Sequence, residues 1–428
     1  MKIVMFTNTY LPHVGGVANS VQQLAEDCRR RGHEVLIVAP EFPDMPAQER
    51  HVVRLRAIQN FNGSDFSVSL PAPRRLAQEI QRFQPDIVHT HHPYLLGDTA
   101  LRVSATFALP LVFTHHTMYE DYTHYVPADS PQLKQFVIKL ATGFANLCDQ
   151  VITPSASIAQ ILKKRGVFTP ITSIPTGVNC EQFTSGDGMQ VRHQLEIPEE
   201  ALLAGYVGRL APEKNLIFLS KAVATFLTHV PDAHVLIVGD GASQQEMQTI
   251  FARAGVQQRV HFVGVQQGSA LVDHYHAMNV FVFASKTETQ GMVLAEAMAA
   301  GVPVIALDAP GVREIVTDRH NGRLLHSEES STFADALEEM AALSRQEYHD
   351  WQKAALETAH RFSREASVEK MLHVYENLCN VTQKSRGLED DTWHTLLREV
   401  RQEWDIWSNR IAAGVQAISD SPKSDNLT

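Results

Sequence analysis

Short apolar runs separated by helical patterns extend through most of the chain. Residues 2–7 (KIVMFT) and 32–40 (GHEVLIVAP) are two such runs, and 17–31 between them carries apolar residues at helical spacing. This strand–helix–strand order predicts a right-handed βαβ unit. Two further runs, 85–93 and 109–117, end in histidines. Buried runs that alternate with helices are typical of a parallel, doubly wound sheet.

A second series of the same kind follows a connection rich in Pro, Gly and Asn near residue 180. Its runs are ALLAGYVGRL, AHVLIVGDG, VHFVGV, VFVFAS, PVIAL and GRLL, with helical patterns between them. The sequence therefore predicts an α/β protein with two Rossmann-like, doubly wound domains. We expect the first to cover residues 1–180 and the two to face each other across a cleft between their strand ends.

The segment 284–303 carries Glu288 and Glu296 in an E-x7-E pattern, after a predicted buried strand. Its pattern then becomes helical, and the backbone N–H groups at a helix start favour an anion. Carboxylates beside an anion more plausibly accept hydrogen bonds from neutral hydroxyls. A diphosphate with a sugar at each end supplies both the anion for the helix start and the hydroxyls for the carboxylates, which indicates a sugar nucleotide. Alternatively, both acids are ordinary solvated side chains. The N–H groups at this helix start belong to Gly291, Met292 and Val293.

Two other loops have features that suit a diphosphate. Gly15 and Gly16 stand just before the first predicted helix, where glycine permits close approach to a phosphate, although a plain tight turn explains them equally well. Arg209 and Lys214 share a loop at a predicted strand end, where two cations can hold a diphosphate. Either cation alone is equally compatible with an ordinary surface position.

Five histidines cluster at the ends of two predicted strands. Alternate residues of a strand face opposite ways, and no pair has the i, i+4 spacing of a helical metal site. We therefore expect no metal here. A single histidine that acts by hydrogen bonding, or a set of satisfied strand-end histidines, fits the pattern better. The five are His89, His91, His92, His115 and His116.

Composition and charge exclude several classes of protein. The 428 residues are 44% apolar and 20% charged, and no apolar run approaches the length of a membrane span. The four cysteines are isolated, which argues against a zinc knuckle or a disulfide framework. Residues 1–180 carry 16 Lys and Arg against 14 Asp and Glu, whereas the rest is strongly acidic. The basic blocks are too short for a nucleic-acid partner, but contact of the first half with an anionic membrane stays open.

The tail after residue 380 has an amphipathic stripe that contains three of the four tryptophans. It predicts a helix that packs on the body of the protein or on a second copy of the chain, as a homo-oligomer. An interfacial membrane helix is the alternative, and the balanced charges of its polar face weaken it. We expect a disordered end at 419–428. The stripe comprises Trp393, Leu397, Val400, Trp404, Trp407, Ile411, Val415 and Ile418.

Taken in order, the motifs GG, THHT, PTGVN, GRLAPEKN, VGDG, FVG and SKTETQGMVLAEAMAAGVPVIA resemble those of the retaining glycosyltransferases of family 4. The resemblance covers residues 1 to about 380. It implies the GT-B fold, with the acceptor on the first domain and the nucleotide donor on the second, 181–361. It also implies a crossover helix, 362–380, that returns to the first domain, and leaves 381–428 as a separate helical tail.

The resemblance also implies roles for the candidate residues. Arg209 and Lys214 would hold the donor diphosphate, Glu288 the hydroxyls of the transferred sugar, and Glu296 the ribose. His116 matches the family's histidine near the sugar and the departing phosphate, with His115 one alignment position away. Backbone donors would come from Gly15, Gly16, Gly291, Met292 and Val293.

The segment HHTMYEDYTHYVP looks like that of bacterial 1,2-diacylglycerol 3-glucosyltransferases. This narrower likeness implies transfer of glucose from UDP-glucose to a membrane lipid. Asn279 and Ala284 depart from the family's usual Asp and Pro, both in strand framework. The residues that would line the acceptor side are Tyr119, Glu120, Asp121, Tyr122 and Tyr125.

Three functions remain open from the sequence. The first is a retaining lipid hexosyltransferase with no cofactor beyond its sugar-nucleotide substrate and no metal at the donor site. The second is a transferase of the same fold that uses GDP-mannose or another donor on a soluble or phosphoinositide acceptor. The third is a non-catalytic sugar-nucleotide sensor. Because a strand follows Lys2 at once, we expect a cytoplasmic protein, peripheral on the inner face of the membrane if the acceptor is a lipid.

Overall fold

Two parallel β-sheets, one of seven strands and one of six, form the framework of the protein. The structure is a computed structural model that describes residues 1–13, 15–46, 49–58, 68–69, 73–120, 130–286, 288–386 and 406. The strands are β1 (Lys2–Phe6), β2 (Glu34–Pro40), β3 (Val52–Leu55), β4 (Ala57–Ile58), β5 (Val68–Ser69), β6 (Ile87–Thr90), β7 (Leu111–Thr114), β8 (Gln150–Thr153), β9 (Ile171–Ser173), β10 (Leu203–Val207), β11 (His234–Val238), β12 (Val260–Phe262), β13 (Val280–Phe283), β14 (Val304–Leu307) and β15 (Gly322–Leu325). The helices are α1 (Gly16–Arg30), α2 (Pro73–Phe83), α3 (Leu96–Phe107), α4 (Pro131–Ala145), α5 (Ala156–Lys164), α6 (Gly188–Gln194), α7 (Leu216–His229), α8 (Gln244–Arg253), α9 (Gly268–Ala277), α10 (Met292–Ala299), α11 (Ser330–Ala341), α12 (Arg345–Arg361) and α13 (Arg364–Arg386).

The chain divides into two compact units. The first contains Met1–Ile174 and the chain from Val368 onward, and the second contains Pro175–Ser367. The first unit holds the seven-stranded sheet, in the order β3-β2-β1-β6-β7-β8-β9, and the second holds β12-β11-β10-β13-β14-β15. Neighbouring strands are parallel throughout both sheets. The predicted class, two Rossmann-like α/β sheets, is confirmed.

Both faces of the first sheet are buried, as expected of a parallel sheet. Alternate residues of β1 point to opposite faces. Ile3 and Met5 join one apolar cluster, whereas Val4 and Phe6 join another that includes α3 and α5 residues. The first cluster also contains residues of α1 and α13, so the last described helix completes a core that begins with the first strand. The contribution of α13 is Val368, Met371, Leu372, Tyr375 and Cys379.

The strand register places the candidate segments at one edge of each sheet. In the first, Phe6 of β1 lies opposite Thr90 of β6, so the chain after both strands emerges at the same edge. β6 pairs in turn with β7, which ends at Thr114. In the second, β10 lies between β11 and β13, so the loops after β10 and β13 emerge side by side.

Most of the predicted tail, 381–428, lies outside the described residues; the exceptions are the end of α13 and Ile406. Ile406 is helical and 3% exposed. It belongs to the apolar cluster of the first unit that includes Phe144 and Leu162. The predicted stripe and the disordered end concern residues that the structure does not describe.

Within the described ranges, no helix combines the length and the apolar character needed to cross a membrane.

Candidate active site

The loops after β10 and β13 bring two predicted residues into contact. Lys214 ends a short 3-10 turn, Pro212–Lys214, in the first loop, and Glu288 lies in the second. The Lys214 ammonium forms an ion pair with the Glu288 carboxylate, although the two are 74 residues apart in sequence. Only 23% of the Lys214 side chain and 16% of the Glu288 side chain are exposed, so this pair is partly shielded from water.

Arg209, the second predicted cation, lies in the same loop as Lys214. Its guanidinium donates to the Glu213 carboxylate at 2.5 Å, and half of the side chain is exposed. The buried Tyr206 hydroxyl donates to the Arg209 carbonyl at 3.3 Å and so ties the loop to β10. Each cation therefore has an acidic neighbour, and a bound diphosphate would compete with that acid for it.

The start of α10 has the geometry of an anion site. Gly291 precedes the helix at φ 69°, in the left-handed region that glycine adopts readily. Among the residues that the structure describes, no side chain caps this helix start. The first N–H groups of a helix have no partner within it, so those of Met292 and Val293 are suited to accept an anion. The cations and this helix start lie on neighbouring loops of one sheet edge.

Glu296, the second predicted carboxylate, lies on α10 and has a partner that sequence reasoning missed. The hydroxyl of Tyr275, a fully buried residue of α9, donates to Glu296 Oε2 at 2.8 Å. Burial raises the pKa of Glu296, and the Tyr275 hydrogen bond opposes that rise. With one oxygen fixed in this way, the carboxylate is oriented to accept a hydroxyl at the other. No motif in the sequence singles out Tyr275.

Gln290, which sequence reasoning also passed over, shapes the loop before α10. Its Oε1 accepts a hydrogen bond from the backbone N–H of Thr176 at 2.7 Å, and the residue is 5% exposed. A Cβ at Gly311 would lie 2.7 Å from the Gln290 backbone nitrogen, so a second chain segment approaches closely there. Thr176 belongs to the PTGVN motif, which was the available signal for this contact.

In the first unit, two of the five strand-end histidines are held by partners outside the cluster. His89 Nε2 lies 2.7 Å from Thr114 Oγ1, and His89 Nδ1 lies 2.6 Å from the hydroxyl of Tyr375 on α13. His92 Nδ1 accepts a hydrogen bond from the backbone N–H of Asn8 at 3.1 Å. These contacts make His89 and His92 satisfied strand-end histidines.

His116 differs from its neighbour His115. His116 is partly exposed, and its Nε2 lies 2.9 Å from Nδ1 of buried His91, with the two rings stacked 5.2 Å apart. His115 is 2% exposed, and its ring packs edge-on against Phe113 and Tyr119. Of the two adjacent residues, His116 is therefore the one that a ligand can reach.

Burial keeps this histidine cluster, the five residues named above, uncharged. It lowers the pKa of His89, His92 and His115 to about 3 and that of His116 to about 4. It also lowers the pKa of His91 well below its usual range. Among the described residues, no three His, Cys, Asp or Glu side chains are placed to hold a metal ion. At neutral pH the cluster offers neutral donors and acceptors, which suit hydroxyl groups.

The predicted acceptor residues are only partly described. Tyr119 is 9% exposed, and its hydroxyl has no hydrogen-bond partner among the described residues. Its ring meets that of Tyr94 at 5.5 Å. The Glu120 carboxylate accepts a hydrogen bond from Arg165 at 2.5 Å. The remaining three, Asp121, Tyr122 and Tyr125, lie outside the described residues.

Gly15 and Gly16 open α1, as the sequence predicts. Gly15 has extended backbone, and no side chain in the described part of the chain caps the helix. A Cβ at Gly16 would meet no atom of the described chain within 4 Å, so packing of those residues gives no reason for glycine there. The structure thus places both residues at a helix start, where a backbone N–H group can face an anion.

Two family models match successive parts of the chain. Residues 14–182 match the family described as Glycosyltransferase Family 4, and residues 189–358 match Glycosyl transferases group 1. An alpha-monoglucosyldiacylglycerol synthase of Streptococcus pneumoniae is 29% identical over 336 residues, which are 77% of this chain and 76% of that one. A GDP-mannose-dependent alpha-mannosyltransferase of Mycolicibacterium smegmatis is 30% identical over 339 residues, or 76% of this chain and 84% of that one.

Among solved structures, sucrose-phosphate synthase from Thermosynechococcus elongatus superposes with a TM-score of 0.73. The match covers 89% of this chain and 99% of that one at 22% identity. At this identity the likeness concerns the fold, and it extends through both sheets.

Proposed function

The chain belongs to glycosyltransferase family 4 and has the GT-B fold, and we propose that it transfers glucose from UDP-glucose to a hydroxyl of a membrane diacylglycerol lipid with retention of configuration. The observation that carries the transfer chemistry is the contact of Lys214 with Glu288 beside the start of α10. It joins a cation for the diphosphate to a carboxylate for sugar hydroxyls at one sheet edge.

In the proposed reaction the acceptor oxygen forms a bond to the anomeric carbon as the bond from that carbon to the β-phosphate breaks. Attack comes from the face that the nucleotide leaves, so configuration is retained. The departing β-phosphate takes the proton of the acceptor hydroxyl. Arg209, Lys214 and the N–H groups at Met292 and Val293 stabilise the charge that develops on the diphosphate, without a metal.

The remaining side chains position the donor and the acceptor. Glu288 accepts from hydroxyls of the transferred sugar, and Glu296, held by Tyr275, accepts from the ribose. His116 donates to an oxygen of the sugar or of the departing phosphate. Gly15 and Gly16 add backbone donors to the phosphates and the sugar.

Two features support a lipid as the acceptor. The first is the likeness of the HHTMYEDYTHYVP segment to diacylglycerol glucosyltransferases, together with the name of the S. pneumoniae relative. The second is an exposed apolar residue beside basic ones in the first unit. Phe168 is 80% exposed, and its backbone N–H donates to Asn146 Oδ1 at 2.9 Å. Lys163 and Lys164 end α5 next to it and are exposed, which suits an anionic lipid surface.

The second candidate is transfer of mannose from GDP-mannose to a soluble or phosphoinositide acceptor. The M. smegmatis relative, which is as similar to this chain as the S. pneumoniae one, favours it.

The test combines two donors with three acceptors. UDP-glucose and GDP-mannose are each supplied with diacylglycerol in anionic vesicles, with free hexose, or with an inositol phosphate, and released nucleotide and extracted lipid are measured. We expect UDP release and an α-linked glucolipid only with UDP-glucose and diacylglycerol. Mannosyl transfer, or transfer only to a water-soluble acceptor, would replace the proposal by the second candidate.

Vesicle flotation tests the membrane contact separately. Phe168→Ser should weaken binding to vesicles that contain anionic lipid, while a matched change at exposed Leu356 of the second unit, Leu356→Ser, should not. Equal flotation of the two variants would remove Phe168 from the lipid contact.

A further inference from the structure

In the described part of the chain, His116 makes one contact through a ring nitrogen, and its partner is the buried residue His91. His91 follows β6 and His116 follows β7, and Nδ1 of the first lies 2.9 Å from Nε2 of the second. The stacked rings are 26° from parallel. His91 is 1% exposed, and its other nitrogen, Nε2, is buried without a partner among the described residues.

Two neutral imidazoles that share a hydrogen bond must divide the roles of donor and acceptor. If His116 Nε2 donated, His91 would carry its own proton on Nε2, where a buried N–H would be left without a described partner. If His91 donates from Nδ1, its Nε2 carries no proton and presents only a lone pair, which is an unpaired acceptor instead of an unpaired donor. Unpaired buried N–H groups are rarer in folded proteins than under-satisfied acceptors, so the second arrangement is favoured. It requires His116 to carry its proton on Nδ1.

We propose that His91 is a positioning residue that holds His116 in the Nδ1–H tautomer, so that His116 presents a hydrogen-bond donor to the ligand. This inference rests on the proposed function for the place of His116 beside the transferred sugar and the departing phosphate. A nitrogen that already carries a proton cannot accept one. His116 therefore donates to an oxygen that gains negative charge, and the acceptor hydroxyl loses its proton to the departing phosphate instead.

The packing around His91 restricts its ring. On one side the ring lies 4.1 Å, centroid to centroid, from that of His89. His89 is itself held between Thr114 and Tyr375 through both of its nitrogens. His91 thus sits between a fixed ring and the ring of His116, and it cannot turn its Nδ1 away without disturbing this stack. The low pKa of His116 is consistent with a ring that stays neutral and singly protonated.

The experiment measures the tautomer of His116 directly. Two-bond 15N–1H correlation spectra of the full-length protein labelled at histidine distinguish a protonated ring nitrogen from an unprotonated one. The His116 signals are assigned by their loss in His116→Gln. We expect the wild-type protein to show a protonated Nδ1 and an unprotonated Nε2 at His116. A proton on Nε2 would overturn the proposal, and this readout needs no substrate.

Two variants of His91 connect the tautomer to catalysis. His91→Leu removes the donor, and we expect His116 to move toward the Nε2–H tautomer and kcat to fall about 10- to 100-fold, as when the partner that orients a metal-site histidine is lost. KM for the donor should change little. His91→Asn places an amide where Nδ1 stood and should restore the tautomer and most of kcat. An unchanged tautomer in His91→Leu would overturn the proposal.

His89→Leu is the matched control, because His89 is equally buried, lies two residues before His91 and makes no hydrogen bond to His116. It should lower the melting temperature and leave the His116 tautomer unchanged. A tautomer shift of the same size as in His91→Leu would show that general loosening, rather than the His91 hydrogen bond, sets the proton position. If the wild-type tautomer is as expected but no glucolipid forms, the proposed function fails while the His91–His116 arrangement stands.

Discussion

The carboxyl edges of the two sheets share a geometry and differ in charge. At the edge of the second sheet, Arg209 and Lys214 each pair with a carboxylate beside a helix start. At the edge of the first, buried histidine rings pair with hydroxyls, a backbone N–H group and one another. Parallel strands bring loops together in both units, but the side chains decide what each edge can bind. One edge is suited to an anion and the other to neutral hydroxyls.

The two sets of groups differ in their exposure to water. A histidine ring responds to burial by losing its proton, so the first edge stays neutral. The cations of the second edge each have an acidic neighbour and partial contact with water. A diphosphate bound there would replace Glu213 and Glu288 as the partner of these two cations.

The largest effect is expected from removing charge at the second edge. Lys214→Ala should lower kcat about 100- to 1,000-fold, because in the proposed mechanism it deletes one of the groups that stabilise the developing charge on the diphosphate. Steady-state assays of nucleotide release measure this, with circular dichroism to show that the fold survives. Lys221→Ala, an exposed lysine of α7, is the matched control. Turnover at the level of that control would remove Lys214 from the mechanism.

The neutrality of the first edge predicts a pH dependence of stability. An unfolded histidine binds its proton near pH 6.5, whereas His89, His92, His115 and His116 bind one only near pH 3 to 4. The unfolded state therefore binds more protons below about pH 6.5, and the free energy of unfolding falls as the pH drops from there toward 4. Each fully buried ring contributes up to about 1.4 kcal/mol per pH unit.

Urea denaturation between pH 5 and pH 7.5, followed by a probe in the first unit, measures this slope. His92→Asn, in which the amide oxygen can still accept from the Asn8 N–H group, should make the slope shallower by about one proton. A slope that is equal in the variant and the wild-type protein would show that His92 is already protonated in the folded state.

The smallest effect is expected from the exposed pair at the second edge. In the proposed mechanism Glu213 competes with the diphosphate for Arg209, so Glu213→Gln should lower KM for the donor about two- to five-fold with kcat unchanged. Glu246→Gln, an exposed acid in the first turn of α8, changes the net charge equally and should leave KM unaltered. A rise in KM for Glu213→Gln would mean that Glu213 instead holds Arg209 in place for the donor.

The sequence predicts the strands and the helix start well because both are local. The run VFVFAS and the glycine before α10 are recognised from neighbouring residues alone. Contacts between loops that follow different strands cannot be recognised from neighbouring residues in this way. Lys214 meets Glu288 because β10 and β13 are neighbours, and that strand order is set by packing of whole helices and strands.

The partners of the candidate residues were least predictable. Tyr275 reaches Glu296 from another helix, and Tyr375 reaches His89 across 286 residues of sequence. No spacing rule links residues that far apart, and ordinary buried tyrosines look the same in a sequence. The distinction between His115 and His116 likewise depends on which ring is buried by Phe113 and Tyr119. Such differences exist only after the chain has packed.

The position of α13 has a consequence for how the protein is made. The ribosome completes β1 to β9 early, yet the helix that covers one face of their sheet emerges only after the whole second unit. Domains made first usually fold first during synthesis. Here the second unit is continuous in sequence, so it can fold as soon as it is made. Ile3, Val112 and His89 of the first unit have their α13 partners, Tyr375 among them, only after that. Until α13 has been synthesised, this face of the first sheet lacks the apolar cover that Met371, Leu372 and Tyr375 give it in the folded protein.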